Sequence, residues 1–310
     1  MTFTKSIFPV LFFWMFLYAF PASGQQDPMF SQYMLNIQSF NPAYTGSWDA
    51  IGITLFSRQQ WMGFKNNPET QELTFQTPIT NTRLGVGFSL MNESIGMINR
   101  RGVFLDYSFG IPVGVSTTVR LGIKGGLTNY RSRFSELILV DPDDLILLPG
   151  EVDRYLPNFG VGAFLHSPNI YVGISVPKLL QNERADFSNV ISMSDLIVIG
   201  GVVIRLAPGI DMKPSFNFHY LDNAPFVTDL NLSFLFADVF WIGGLFRTSD
   251  EIRFGLFTNI LIGKTLRIGY AYDFMNYAGL NSYSGGTHEM MVSFELRRKE
   301  KIRFKSPRYF

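Results

Sequence analysis

From about residue 50 to residue 297 the chain alternates apolar and polar residues with period two, the pattern of strands with two unlike faces. "LGVGFSL" sets Leu84, Val86, Phe88 and Leu90 against Gly85, Gly87 and Ser89. "IDMKPSFNFHY" sets Met212, Phe216, Phe218 and Tyr220 against Lys213, Ser215, Asn217 and His219. "VTDLNLSFLF" and "TLRIGYAYDF" repeat the pattern, with Asp229, Asn231 and Ser233, then Arg267, Gly269, Ala271 and Asp273, on the polar side. About fourteen such segments are expected, near 50–60, 69–78, 82–93, 100–113, 115–131, 157–166, 169–176, 193–206, 209–220, 225–236, 239–248, 250–262, 265–277 and 287–297. Most are longer than the five or six residues of a soluble strand and reach the roughly nine to eleven that a tilted membrane-crossing strand needs.

The connectors alternate in length. Tight turns fall at Thr80-Asn81, Val113 to Ser116, Ser167 to Asn169, Ala207 to Gly209, Ala237-Asp238 and Gly263-Lys264. Longer links run from Trp61 to Pro68, Asn92 to Asn99, Ser132 to Leu156, Pro177 to Ser192 and Asn276 to Gly286. Short turns on one side and long loops on the other are the layout of a transmembrane outer-membrane β-barrel of antiparallel strands, turns in the periplasm and loops at the surface. A half-buried sheet of a soluble sandwich would also alternate; strand length separates the two.

Three segments stand outside the pattern. Residues 1–24 read as a cleaved signal peptide, with Lys5, an apolar run from Ile7 to Phe20 and small residues at Ala22-Ser23-Gly24. Residues 25–49 are aromatic, amide-rich and nearly uncharged, too polar for lipid and too aromatic for an ordinary linker. They are expected to form a periplasmic plug folded into or across the periplasmic mouth of the barrel (50–297), through Tyr33, Asn41, Pro42, Tyr44 and Gly46, with Asn41-Pro42 turning the chain toward the wall. A docking strip for other proteins is the alternative. Residues 298–310 form a basic periplasmic tail, either a solvated end or a docking strip.

Composition sharpens the picture. Aromatics are 15% of the chain with 31 Phe, and charged residues only 16%, which suits a lipid-facing wall. The net charge of +1 gives no reason to expect nucleic acid. With no cysteine, disulfides, thiolate metal sites and lipidation of residue 25 are excluded. The polar faces carry Arg58, Arg120, Lys124, Lys213, Arg247, Arg253 and Arg267 against Glu72, Asp106, Asp229, Asp273, Glu289 and Glu295. Such a balance fits a braced or filled lumen better than a charge-selective pore, which favours a ring of one sign. Pairing of Asp273 with Arg253 and Arg267, and of Lys213 with Asp229, is expected across neighbouring strands.

Candidate chemistry is sparse. His166, His219 and His288 lie far apart, without ligand or triad spacing, so no catalysis and no cofactor is expected. "DPDD" (Asp141 to Asp144) could hold calcium but reads more simply as an exposed turn. "RQQWMGF" (Arg58, Gln59, Gln60, Trp61, Met62, Gly63, Phe64) ends the first strand and forms either an interfacial girdle or a recognition surface. Trp48, Phe240 and Trp241 are expected in the girdle.

The ordered series "QDPMFSQYMLNIQSFNPAYTG", "RQQWMGF", "LGVGFSLMNESIG", "DPDD", "PNFGVGAFLHSPNIYVGISVPKLL", "LRIGYAYDF" and "GGTHEMMVSFEL" resembles the PorP/SprF family of type IX secretion and gliding proteins. The resemblance implies a barrel without enzymatic activity that works with the secretion machinery and its periplasmic ring. For some members it implies export or surface retention of one large adhesin through that adhesin's C-terminal domain. A passive channel or hydrophobic-solute transporter is the alternative that a barrel alone would allow.

Overall fold

The computed structural model describes residues 29–48, 50–80, 82–133, 151–180, 195–221, 226–248, 252–274 and 284–297. The leader, the tail and Asp141 to Asp144 lie outside these residues. Fifteen strands form one antiparallel sheet. They are β1 (Ala50–Gln59), β2 (Glu69–Pro78), β3 (Leu84–Ile95), β4 (Ile98–Pro112), β5 (Thr118–Arg133), β6 (Glu151–His166), β7 (Ile170–Val176) and β8 (Asp195–Val202). There follow β9 (Ile204–Ala207), β10 (Ile210–Leu221), β11 (Val227–Phe236), β12 (Phe240–Thr248), β13 (Ile252–Ile262), β14 (Leu266–Phe274) and β15 (Thr287–Arg297).

Each strand pairs with its neighbour in sequence, except that β8 and β9 both pair with β10. These two are one stave broken at Val203, whose N–H bonds instead to Asn169 O at 2.7 Å. β15 returns to pair with β1, from Ala50↔Arg297 to Gln59↔His288. The ring is therefore a closed barrel of fourteen staves. Closure leaves every stave with a partner on each side, although the β9 piece of the broken stave pairs with β10 alone; paired backbone is the condition for burial in hydrocarbon. No helix among the described residues is long and apolar enough to cross a membrane; the strands make the crossing.

Alternation sorts side chains as expected. Leu105, Ile123, Leu256 and Met290 point outward and expose more than half of their surface to the lipid side. Ser89, Asp106, Lys124, Asp229, Asn259 and Glu289 point inward and are buried.

The wall is uneven in height. β4, β5 and β6 run 15, 16 and 16 residues, against 7 to 12 for the other full strands apart from the broken stave. Two expected links prove to be part of this extension. Asn92 to Asn99 is a hairpin closed by Gly96 in the left-handed region, with Ile95 opposite Ile98. Glu151 to Leu156, expected in a loop, continues β6 opposite Thr128 to Arg133. Neither stretch alternates cleanly: Ile95, Met97 and Ile98 crowd the hairpin tip, where Glu93 and Ile98 are buried, and Glu151 to Leu156 mixes apolar and charged residues on both faces.

Candidate functional site

Residues 29–48 occupy the interior of the barrel. They descend from the loop side, beside Arg247 near the end of β12, to the turn side, beside Ser108 near the end of β4. They then enter β1. The expected location at the periplasmic mouth therefore covers only the last part of the segment; its first residues lie at the opposite rim. The path is three short 3-10 turns, Tyr33–Leu35, Ile37–Ser39 and Pro42–Tyr44. Asn41 is extended and its Oδ1 accepts the Ala43 N–H at 3.0 Å, while Pro42 opens the next turn with its φ already set.

The loop-side end is held by charge. Arg58 points into the lumen, fully buried, and meets Asp273 Oδ2 at 2.7 Å and Glu289 Oε2 at 3.0 Å. Its Nη1 also donates to Ser31 Oγ, which donates in turn to Asp273. Glu289 accepts the backbone N–H groups of Ser31 and Gln32 at 2.8 and 2.9 Å. Arg247 forms a two-pronged pair with Asp229 at 2.6 and 2.7 Å and reaches the Phe30 carbonyl at 3.3 Å. Such planar pairing with further hydrogen bonds is what a buried ion cluster needs to offset the loss of water.

The middle is amide-rich. Glu72 accepts from Asn36 Nδ2 (2.9 Å) and Ser39 Oγ (2.8 Å). Gln38 donates to Asp106 and to the Phe75 carbonyl. Lys124 donates to the Gln38 and Ser39 carbonyls and faces Asp106 at 3.6 Å. Tyr33 OH lies 3.2 Å from Ser215 Oγ. Met34, Ile37 and Tyr44 are buried among wall side chains such as Phe56, Phe164 and Ile199, and Phe40 packs on both apolar clusters.

The turn-side end is held by shape. A Cβ on Gly122 would strike the backbone of Pro42 and Ala43, and one on Gly162 would strike Asn41 Oδ1. Gly46, in the left-handed region, sits directly against Gly85. These wall glycines are the space the segment fills.

The expected site residues fall as follows. Tyr33, Asn41, Pro42, Tyr44 and Gly46 all lie in the buried segment. Lys213, Asp229, Arg253, Arg267, Asp273 and Glu289 all face the lumen, but the expected pairs differ. Asp273 pairs with Arg58, not with Arg253 or Arg267. Arg267 is six residues from Asp273 on the same strand, about 20 Å away at ~3.3 Å per residue, and Arg253 lies across from Arg247. Asp229 pairs with Arg247; Lys213 stands opposite Ser233, four residues off. Lys213 instead sits over the Tyr171 and Trp241 rings at 5.4 and 5.3 Å, and Arg267 over Trp241 at 5.2 Å.

Trp48 and Trp241 are thus interior residues, not girdle residues. Trp241 lies between outward Phe240 and Ile242, and Trp48 donates to Tyr44 OH within the segment. Arg58 also leaves the rim group. Gln59 and Gln60 are half-buried, Trp61 is partly exposed, and Met62, Gly63 and Phe64 are exposed. This loop is pinned: Met62 exchanges backbone hydrogen bonds with Gly285 and Gly286, Gln60 bonds to Pro68, and Gly96 bonds to Asn66. Sequence reasoning missed the partners Phe30 and Ser31 and the 2.8 Å contact of His219 with Asp195. These contacts join residues far apart in sequence and leave no local signal.

Comparison with known proteins gives one family. The sequence model described as type IX secretion system membrane protein PorP/SprF matches residues 22–294. No curated protein sequence matches. Among solved structures, the outer membrane protein Omp33 of Acinetobacter baumannii aligns at 9% identity over 80% of this chain and 98% of its own, with a TM-score of 0.47. A CymD monoaromatic hydrocarbon channel aligns at 10% identity over 81% and 88%, with a TM-score of 0.49.

Proposed function

The chain belongs to the PorP/SprF family of type IX secretion system membrane proteins, and from that premise we propose that it is a non-enzymatic outer-membrane barrel, closed by its own N-terminal segment, that acts by docking proteins. Its partners are the secretion machinery, including periplasmic ring components, and the C-terminal domain of a specific secreted adhesin or other cargo. The observation that carries this reading is the filled lumen. Residues 29–48 contact wall strands around the ring and follow the lumen from one rim to the other, which leaves no reason to assign the interior to solute flux. The pinned loop from Trp61 to Phe64 supports docking at the surface, since it presents Met62 and Phe64 to solvent on a fixed backbone.

Two measurements test it. The full-length protein in a planar bilayer should be silent, and a chain lacking Gln25 to Ser39 should conduct. A stable pore in the full-length protein would favour a passive channel. In cells, loss of the protein should remove one adhesin from the surface while unrelated cargo is still secreted; loss of every cargo would replace the adhesin-specific role with one in the core machine.

A further inference from the structure

Most arginines and lysines of the wall point inward, as Arg58, Arg120, Lys124, Lys213 and Arg247 do. Three on the tall face of the barrel take outward positions instead: Arg101 of β4, and Arg131 and Arg133 of β5. Strand register fixes their height. Across β3 to β6 the last apolar outward row is Leu90, Val103, Leu127 and Pro157. The next row toward the loops is Asn92, Arg101, Asn129 and Tyr155. Two residues of ~3.3 Å each, on a strand tilted by about 40°, raise that row roughly 5 Å, from the hydrocarbon edge to headgroup level. Exposed Tyr155 in the same row is the kind of aromatic that settles at that level.

The outward charges of this face do not balance. Arg131 pairs with Glu151, which also stands opposite Arg133, and Asn129 Nδ2 donates to Asp153 at 2.5 Å. Glu93 lies on the inner face and pairs with Arg100 at 3.0 Å. Three outward arginines thus meet two outward carboxylates, and the surplus falls on Arg101. Its exposed guanidinium makes one hydrogen bond among the described residues, to the Asn92 side chain at 3.4 Å. Whichever way that amide points, it carries no charge. Asp153 stands one row higher and two strands away, about 10 Å off by strand spacing alone.

A cation at the edge of the hydrocarbon is stabilised by an anion at headgroup level, and the planar fork of arginine matches phosphate oxygens. Directly below Arg101 the same face is apolar. Val103, Leu105, Leu127 and Phe159 each expose half or more of their surface there, a track on which acyl chains can lie.

We infer that this face is a binding site for an anionic, phosphate-bearing lipid of the loop-side leaflet. Arg101 takes the phosphate, the Tyr155 phenol flanks it, and the chains lie along Val103, Leu105, Leu127 and Phe159. The inference rests on the outer wall and does not depend on what the barrel docks or whether it conducts.

The test uses the full-length protein in detergent micelles and native mass spectrometry, with titrations of dioleoyl phosphatidic acid, dioleoyl phosphatidylcholine and glycerol 3-phosphate. Phosphatidic acid should bind at least tenfold more tightly than phosphatidylcholine, whose choline offsets its phosphate. Arg101→Gln should reduce that preference at least fivefold. Arg83→Gln, which removes an exposed cation on the turn side, should leave it unchanged; circular dichroism checks that both variants fold. Equal affinity for the two lipids, unchanged binding in Arg101→Gln, or an equal loss in Arg83→Gln overturns the assignment. So does displacement of the lipid by an equal concentration of glycerol 3-phosphate, because the phosphate alone would then be the ligand. Conductance and adhesin retention are measured separately, so failure here leaves the docking reading intact.

Discussion

Arg58→Met removes a cation that joins β1, β14, β15 and the inner segment. Its loss leaves Asp273 and Glu289 facing each other in a buried site, with Ser31 Oγ, the Gln32 side-chain amide and two backbone N–H groups as their remaining hydrogen-bond partners. Breaking a buried ion cluster by removing one member costs about 3–5 kcal/mol, because the other members keep their charge without their partner. The carboxylates can recover water only if the first residues of the segment leave the lumen. The cost therefore falls on the docked state, and at ~1.4 kcal/mol per factor of ten it raises the undocked fraction on the order of a hundred- to a few-thousand-fold. The assay is paired: single-channel recording for open events, and limited proteolysis for cleavage between Met29 and Ser39. The variant should show both while β-structure persists. The triple variant Arg58→Met, Asp273→Asn, Glu289→Gln should close again, since neutral amides carry no comparable penalty and can still accept from the Ser31 and Gln32 N–H groups. A silent, protease-resistant Arg58→Met protein would show that shape alone holds the segment.

Three further outcomes follow from the same contacts. Gly122→Val places carbon against the backbone of Pro42 and Ala43, so urea unfolding in lipid vesicles should show a loss of about 1–3 kcal/mol, the usual cost of overpacking. Leu105→Arg puts a charge on the lipid face and should cost about 2–4 kcal/mol in the same assay if β4 crosses the bilayer midplane there; no change would place Leu105 outside the hydrocarbon. The pair Met62→Ala and Phe64→Ala should leave stability within ~0.5 kcal/mol, as expected for exposed positions, while pull-down of the adhesin domain weakens; undiminished pull-down would move the docking surface elsewhere.

The barrel was legible because a lipid-facing wall forces period two over most of its length. Strand β2 and strand β15 fall where the pattern sets them. Legibility failed where apolar and charged residues mix on both faces, in Glu151 to Leu156, and where an aromatic served the interior, as with Trp241. Alternation does state the inward phase of Trp241, opposite to Phe240 and Ile242, but a tryptophan near a strand end looks like an interfacial anchor. The set of lumen charges was also readable. The partner of each charge was not, because that depends on how far neighbouring strands slide and on where the inner segment lies. Arg58 illustrates this: its direct neighbour across the seam is Glu289, two hundred and more residues away, and only the register of β15 on β1 reveals it.

That seam has a consequence for assembly. β1 and β15 are the two edges of the sheet until the cylinder shuts, and Arg58 and Glu289 stand on opposite edges at the same level. Before closure each is an isolated ion with water at its side. Closure brings them together with the N–H groups of Ser31 and Gln32 between them and the interior, so the last staves to zip are also the ones that grip the inner chain. A cylinder that shut without its inner chain would trap unmet acceptors at Glu289 and empty niches at Gly122 and Gly162. The joint that finishes the wall thus also checks that the contents are in place.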